Sequence, residues 1–84
     1  MEKEIRFTAS ARKHKIGKAH ALFVVENYEP TLFSDLDGAE VKWHWQGFDD
    51  RGLELEVIGV EKLDVIVVIH VMPFNFRRRG RSGN

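Results

Sequence analysis

Residues 41–60 read VKWHWQGFDDRGLELEVIGV, and the rest of the chain is organised around them. On either side of a polar tetrad, apolar residues alternate with polar ones, and this period of two is typical of half-buried strands. The tetrad Asp49-Asp50-Arg51-Gly52 has the composition of a tight turn, in which the glycine adopts a positive φ. The segment therefore predicts an antiparallel hairpin with Trp43 and Trp45 on its buried face.

A third strand follows the hairpin. Val65 to Val71 is apolar at every position except His70, which predicts a strand that is covered on both faces or lies centrally in the sheet. Pro73 has no N–H group to donate to a neighbouring strand, so we expect the strand to end there. The second half of the chain thus predicts three consecutive antiparallel strands.

The first half predicts one short strand and two helices. Glu4 to Thr8 alternates like a strand, Ala11 to Lys15 is a short basic helical segment, and a second helix runs from about Lys18 to Asn27. Pro30 ends that helix, and residues 30–40 have loop composition. The predicted fold is α+β, β-α-α-β-β-β, with two N-terminal helices packed on one face of a three- to four-stranded antiparallel sheet.

Length and composition limit the kind of protein. A chain of 84 residues has room for one core, so we expect a single domain over residues 1–76 and a flexible basic tail over residues 77–84. The absence of cysteine excludes a disulfide scaffold, a Cys-based zinc site and a thiol nucleophile. The apolar stretches are far shorter than a membrane span and the charged start is unlike a signal peptide, which predicts a cytoplasmic protein without membrane association.

The formal net charge of zero hides a segregation of charge along the chain. Residues 1–20 carry six basic and two acidic residues, residues 21–64 carry three basic and eleven acidic ones, and residues 65–84 carry four arginines and no acid. The segments therefore have net charges of +4, −8 and +4. If the two ends meet, they form an anion-binding face; the alternative is two solvated termini.

Histidine is the side chain that changes charge nearest neutral pH, which makes His14, His20, His44 and His70 the first candidates for chemistry. Their spacing is wrong for a metal site, and none is predicted. We expect His20 to be a hydrogen-bonded packing residue and His44 to be exposed or at a strand edge. His70 interrupts an apolar strand near the rim of the sheet, where a functional role and a satisfied structural role both remain open.

Two basic clusters provide candidate phosphate ligands. RNA cleavage by internal transesterification needs cations around the phosphate and groups that move protons, and it needs no metal or other cofactor. A solvated basic surface is the alternative. The candidate ligands are Arg12, Lys13, Lys15, Arg77, Arg78 and Arg79.

Three motifs together resemble the BrnT-like branch of the RelE/ParE superfamily of small bacterial toxins. They are the basic segment Arg12-Lys13-His14-Lys15-Ile16, the turn Asp49-Asp50-Arg51-Gly52 leading into Leu53-Glu54-Leu55-Glu56-Val57, and the strand end Val68-Ile69-His70-Val71-Met72-Pro73. The resemblance covers about residues 4–76. It implies the toxin of a type II toxin–antitoxin pair, which acts as an endoribonuclease on messenger RNA, free or ribosome-bound, and is neutralised by a cognate antitoxin protein.

The resemblance also implies site residues. The helix motif of the family falls on Lys13 and His14, with Lys15 in place of a glycine. The hairpin motif falls on Arg51 and on Glu54 or Glu56. The last-strand motif falls on His70. The implied catalytic residues are His14, His70 and Arg51. Many relatives continue into a basic C-terminal helix, whereas an arginine-rich tail follows Pro73 here.

Two further interpretations stay open. One is a non-catalytic RNA-binding or protein-interaction module of the same fold, which binds RNA in a salt-dependent way without cleaving it. The other is a protein that only forms a complex through its acidic middle segment and an apolar sheet edge. A homodimer is compatible with all of these interpretations.

Overall fold

The hairpin of residues 41–60 lies in the middle of a five-stranded sheet. The computed structural model describes residues 4–12, 16–34, 38 and 40–74. Its elements are β1 (Glu4–Phe7), a 3₁₀ turn (Ser10–Arg12), α1 (Lys18–Asn27), β2 (Thr31–Ser34), β3 (Val41–Phe48), β4 (Glu54–Glu61) and β5 (Val65–Pro73). The strand order is β1-β5-β4-β3-β2, with β1 parallel to β5 and all other neighbours antiparallel.

The predicted fold class is wrong. In place of two helices on a three- to four-stranded antiparallel sheet, the described residues form one α-helix and a five-stranded mixed sheet, in the order β-α-β-β-β-β. The basic segment predicted as a first helix contributes a 3₁₀ turn at Ser10–Arg12, and residues 13–15 lie outside the described part of the chain. The Thr8 hydroxyl accepts a hydrogen bond from the Ala11 amide in this turn, at 3.3 Å.

Strand β2 was predicted as a loop. It has four residues, all exposed, and among the described strands it pairs with β3 alone. Four residues between Pro30 and a polar stretch are too few to show an alternating pattern. The strand forms because β3 offers it a row of backbone hydrogen-bonding groups, which is a property of the neighbouring strand.

The parallel pairing of β1 with β5 makes the sheet mixed. Ile5 lies opposite Ile66 and Phe7 lies opposite Val68. Strand β5 therefore lies inside the sheet between β1 and β4, but one strand away from its centre, which is β4.

The predicted bounds of α1 are confirmed, and its packing defines the two faces of the sheet. Ala21 and Val24 are fully buried against strand residues of the core, which include Trp45, Leu55, Val57, Val68 and Val71. The chain leaves the helix at Tyr28, whose ring lies against Gly47 so closely that a Cβ atom there would overlap it. No helix in the described ranges has both the length and the apolar composition to cross a membrane.

The opposite side of the sheet is called the outer face below. Residues that alternate with the core positions project from it. They include Thr31 and Phe33 of β2, Lys42, His44, Gln46 and Phe48 of β3, Glu54, Glu56, Ile58 and Val60 of β4, and Val67, His70 and Met72 of β5.

Candidate functional site

A β-bulge places His70 on the outer face. Ile58 of β4 pairs with His70, but the next residue, Gly59, pairs with Val68, so that Ile69 is an extra residue in β5. In a regular strand His70 would share the face of Val68, which is fully buried in the core. The bulge reverses the alternation, and Val71 becomes the next core residue. Bulges commonly redirect a side chain beside a functional site, and this one turns a histidine away from the core.

The two histidines lie in one row across three strands. His44 is the register partner of Ile58, and Ile58 is the register partner of His70. Because neighbouring strands are 4.7–4.9 Å apart, the backbones that carry the two rings are roughly 9.5 Å apart. Glu56 comes two residues before Ile58 on the middle strand, so its side chain projects from the same face between the two histidines.

Glu56 contacts both rings. Its Oε2 lies 2.9 Å from Nε2 of His44, and its Oε1 lies 3.3 Å from Nε2 of His70. The Glu56 side chain is only 5% exposed, while those of His44 and His70 are 24% and 33% exposed. Both contacts of Glu56 are made through Nε2 of a ring, so a carboxylate that accepts there sets the tautomer in which Nε2 carries the proton. These three residues are called the His44–Glu56–His70 cluster below.

The cluster has the parts of a general acid–base pair. A histidine whose tautomer and orientation are held by a carboxylate takes or gives a proton at its other nitrogen, and the carboxylate stabilises the imidazolium form. Two such rings on one surface serve a reaction in which one proton is removed and another is delivered. Glu56 is a positioning residue in this arrangement, since it acts through the rings.

A shallow pocket adjoins the cluster at the β2–β3 edge. It has a volume of about 370 Å³ and is lined by Phe33, Lys42, His44, Glu56 and Ile58. The ring centroids of Phe33 and His44 are 6.0 Å apart, in an edge-to-face arrangement. The pocket therefore combines an aromatic ring and a cation with one member of the acid–base pair.

Arg51, a predicted catalytic residue, lies in the β3–β4 turn. Its guanidinium donates to Oδ2 of Asp49 from Nε at 3.0 Å and from Nη2 at 2.7 Å. The turn is four residues or more from His44 along β3, which is roughly 13 Å. The structure thus gives Arg51 a role in the turn, and its catalytic role stays a prediction.

Asp49 organises the turn. Oδ1 of its carboxylate accepts hydrogen bonds from the amides of Arg51 and Leu53 at 2.8 and 3.0 Å. Gly52 has a φ of 86°, the positive value that its position in the turn predicts. Burial raises the pKa of the Asp49 carboxyl, but the hydrogen bonds from the Arg51 guanidinium and from the two amides together outweigh it and hold the pKa below its usual value. The carboxylate is therefore ionised in the folded protein.

His20 ties the helix to this turn. Its Nδ1 lies 2.6 Å from Oδ1 of Asp50, in agreement with the prediction of a hydrogen-bonded packing residue. His20, Asp49 and Asp50 are the one group in the described chain with three ligand-type atoms at metal-binding spacing. The four hydrogen bonds to Asp49 already occupy the lone pairs of both its oxygens, so this group is a structural contact of the turn.

The other predicted site residues are distributed differently. His70 is in the cluster, and only the backbone of Arg12 is described, in the 3₁₀ turn. The remaining candidates, Lys13, His14, Lys15, Arg77, Arg78 and Arg79, lie outside the described residues. The convergence of the two basic clusters therefore stays a prediction.

Sequence reasoning missed the link between His44 and Glu56, although a signal for it exists. When the loop is taken as the three residues 50–52, closed by the hydrogen bond from the Asp49 amide to the Leu53 carbonyl, the hairpin register pairs residue 46 with residue 56. His44 then lies diagonally opposite Glu56 on the same face, within reach of a long side chain.

Comparisons of the chain with protein-family models, with curated proteins and with solved structures find no match. The resemblance to the BrnT-like branch of the RelE/ParE superfamily therefore stays a prediction that rests on three short motifs.

Proposed function

We propose that this protein is a metal-independent endoribonuclease that uses His44 and His70 as its acid–base pair. One observation carries the proposal: a single, almost fully buried carboxylate holds two partly exposed imidazole rings from separate strands on one face of the sheet. RNA suits such a pair because its 2′-hydroxyl is a built-in nucleophile that needs one proton removed, while the leaving oxygen needs one proton added.

The reaction follows from this arrangement. One neutral imidazole takes the proton of a 2′-hydroxyl as that oxygen bonds to the adjacent phosphorus. The bond from phosphorus to the 5′-oxygen breaks, and the other ring, as imidazolium, gives its proton to that oxygen. The products are a 2′,3′-cyclic phosphate and a free 5′-hydroxyl, and exchange with water restores the two rings.

Glu56 contributes by position and charge. It accepts from both rings at Nε2, which fixes their orientation and places a carboxylate between them. General acid–base catalysis by a positioned side chain typically contributes about 10²- to 10⁴-fold to the rate. The loss of either histidine is expected to cost a factor in this range.

The biological role is proposed from the resemblance. A metal-independent ribonuclease of this size in the cytoplasm fits the toxin of a type II toxin–antitoxin pair that acts on messenger RNA and is held inactive by an antitoxin. A small neighbouring gene that encodes a DNA-binding protein would support this role. Growth arrest on expression of the wild-type protein, relieved by His70→Gln and by co-expression of the neighbouring gene, tests it.

The enzymatic test compares purified wild-type protein with His44→Gln and His70→Gln on messenger RNA, with and without ribosomes and in the presence of a chelator. We expect cleavage that leaves 2′,3′-cyclic phosphates, a bell-shaped pH profile, and a loss of about 10²-fold or more in each variant. His20→Gln is the matched control, because His20 also contacts a carboxylate but lies in α1, where it contacts Asp50 of the β3–β4 turn. The proposal is contradicted if the wild type leaves RNA intact or if all four proteins cleave it equally. Salt-dependent binding of RNA without cleavage products would favour the non-catalytic module.

A further inference from the structure

We infer that the β2–β3 edge of the outer face is a subsite for one unpaired nucleobase, with Phe33 as the stacking surface and Lys42 as the ligand of the adjoining phosphate. The inference rests on the proposed function and deepens it, since it names the form of RNA that the site takes. A base in a duplex is stacked on its neighbours and has no free face, so the substrate is single-stranded RNA.

Phe33 has the exposure that stacking requires. Phe33 is 49% exposed, although burial of an aromatic ring is strongly favourable in free energy. The ring lies on an edge strand of the described sheet, and on its inner side it contacts the His44 ring, at an interplanar angle of 60°. Aromatic rings in such positions bind bases of any sequence, because every base has a π face.

Lys42 provides the charge beside the ring. It is the register partner of Phe33, so the two side chains project from directly opposite positions on neighbouring strands. Both line the pocket of about 370 Å³ that also contains His44, Glu56 and Ile58. This volume lies within the range of small-ligand pockets, which is roughly 300–1,000 Å³.

The order of groups across the sheet matches the order of groups in a nucleotide. Phe33 lies on the edge strand and His44 on the next strand, while His70 lies two strands further across, beyond Ile58. A base on Phe33 therefore places its own ribose and phosphate toward His44 and over Ile58, between the two members of the acid–base pair. The subsite and the cluster thus form one continuous surface.

Phe48 provides a matched control. It is also 49% exposed and lies on the outer face, but it is four residues from His44, roughly 13 Å along β3. Phe33→Leu and Phe48→Leu remove the same aromatic ring and keep an apolar side chain at an exposed position. A general effect of lost apolar surface would appear equally in both variants.

The experiment measures binding and cleavage separately. Binding uses a short single-stranded RNA whose 2′-hydroxyls are methylated, which removes the nucleophile, and fluorescence anisotropy gives the Kd. We expect Phe33→Leu to weaken binding by roughly 5- to 150-fold, Phe33→Trp to retain it, and Phe48→Leu to leave it unchanged. Lys42→Gln should lower the slope of log K against log salt by about 0.7, which is the contribution of one phosphate in a single strand.

The outcomes separate this inference from the proposed function. Cleavage of RNA that is equal for single strands and duplexes, and unaffected by Phe33→Leu, would overturn the subsite and leave the acid–base pair standing. Selective loss of binding in Phe33→Leu without cleavage by the wild type would support the subsite and overturn the ribonuclease. If Phe33→Leu changes only the oligomeric state in sedimentation and not RNA binding, β2 is a protein interface and the subsite is wrong.

Discussion

Replacing Glu56 by glutamine is expected to destabilise the protein by changing the centre of the His44–Glu56–His70 cluster. The carboxylate accepts from both histidines, whereas a carboxamide has one carbonyl oxygen and presents its NH₂ group to the second ring. The ring that faces the NH₂ group can pair with it only after changing its tautomer, so one of the two hydrogen bonds to a charged acceptor is lost and at best a neutral one replaces it.

The size of the effect follows from the burial of the site. The Glu56 side chain is 5% exposed, so water replaces the lost partner poorly. A hydrogen bond to a charged group contributes about 1.5–3 kcal/mol, and part of this is regained because an amide costs less to bury than a carboxylate. We expect a decrease of about 2 kcal/mol in the free energy of unfolding, which for a domain of this size lowers Tm by roughly 8–16 °C.

The assay is urea and thermal unfolding followed by circular dichroism, with Glu54→Gln as the control. Glu54 lies on the same strand and face, and its Oε2 accepts a hydrogen bond from Gln46 at 3.1 Å near the surface. We expect its replacement to change the free energy of unfolding by less than about 0.5 kcal/mol. Equal destabilisation by the two variants would refute the reasoning, since both remove one negative charge from the outer face.

Double-mutant cycles show which contacts carry the effect. Glu56→Gln combined with His44→Gln, and separately with His70→Gln, should give coupling energies between about 0.5 and 3 kcal/mol. The coupling to His44 should be the larger, because 2.9 Å is a normal hydrogen-bond length and 3.3 Å is slightly beyond the usual range. Zero coupling in both cycles would mean that the carboxylate does not hold the rings.

Three further predictions concern the turn, the helix contact and the bulge. Asp49→Asn should lower the free energy of unfolding by about 1–3 kcal/mol near neutral pH. Hydrogen bonds from Arg51 and the turn amides outweigh burial and lower the pKa of Asp49, so the difference between the two proteins is complete above roughly pH 3.9 and shrinks as the pH falls through the lower folded pKa. A difference in the free energy of unfolding that stays constant during acid titration would contradict this. Gly47→Ala should cost about 1–3 kcal/mol in thermal unfolding because its Cβ overlaps the Tyr28 ring, and the cost should disappear when Tyr28 is also alanine. Deleting Ile69 removes the bulge residue but keeps the register on both sides of it, so the variant should fold with the strand's histidine still on the outer face, and amide exchange showing loss of the β4–β5 ladder would refute this.

The elements that sequence reasoning placed correctly depend on local interactions. The bounds of α1, Lys18–Asn27, follow from its apolar stripe and from Pro30 downstream, and the turn at Asp49–Gly52 follows from its own composition. Both signals lie within the segment that they describe. The position of β5 inside the sheet, between β1 and β4, agrees with its nearly continuous apolar sequence.

The strand that was missed, β2, and the pairing that was missed, that of β1, depend on distant partners. Strand β2 is too short to carry a pattern and exists because β3 pairs with it, and β1 is parallel to β5 only because the chain crosses one face of the sheet between them. The predicted loop and the predicted antiparallel sheet were wrong for this reason. Neither pairing leaves a trace in the residues of the shorter strand.

The candidate site shows the same division. The approach of His44 to Glu56 is contained in the hairpin register and was open to sequence reasoning, whereas the position of His70 was not. An apolar run at Val65–Val71 hides which residues face the core, and a bulge arises from how β5 meets β4. Sequence alone set the helix, the hairpin and the turn, because these depend on neighbours along the chain. The tertiary structure decided that the last strand carries an extra residue and that its histidine joins Glu56, because pairing between distant strands determines the face that each side chain takes.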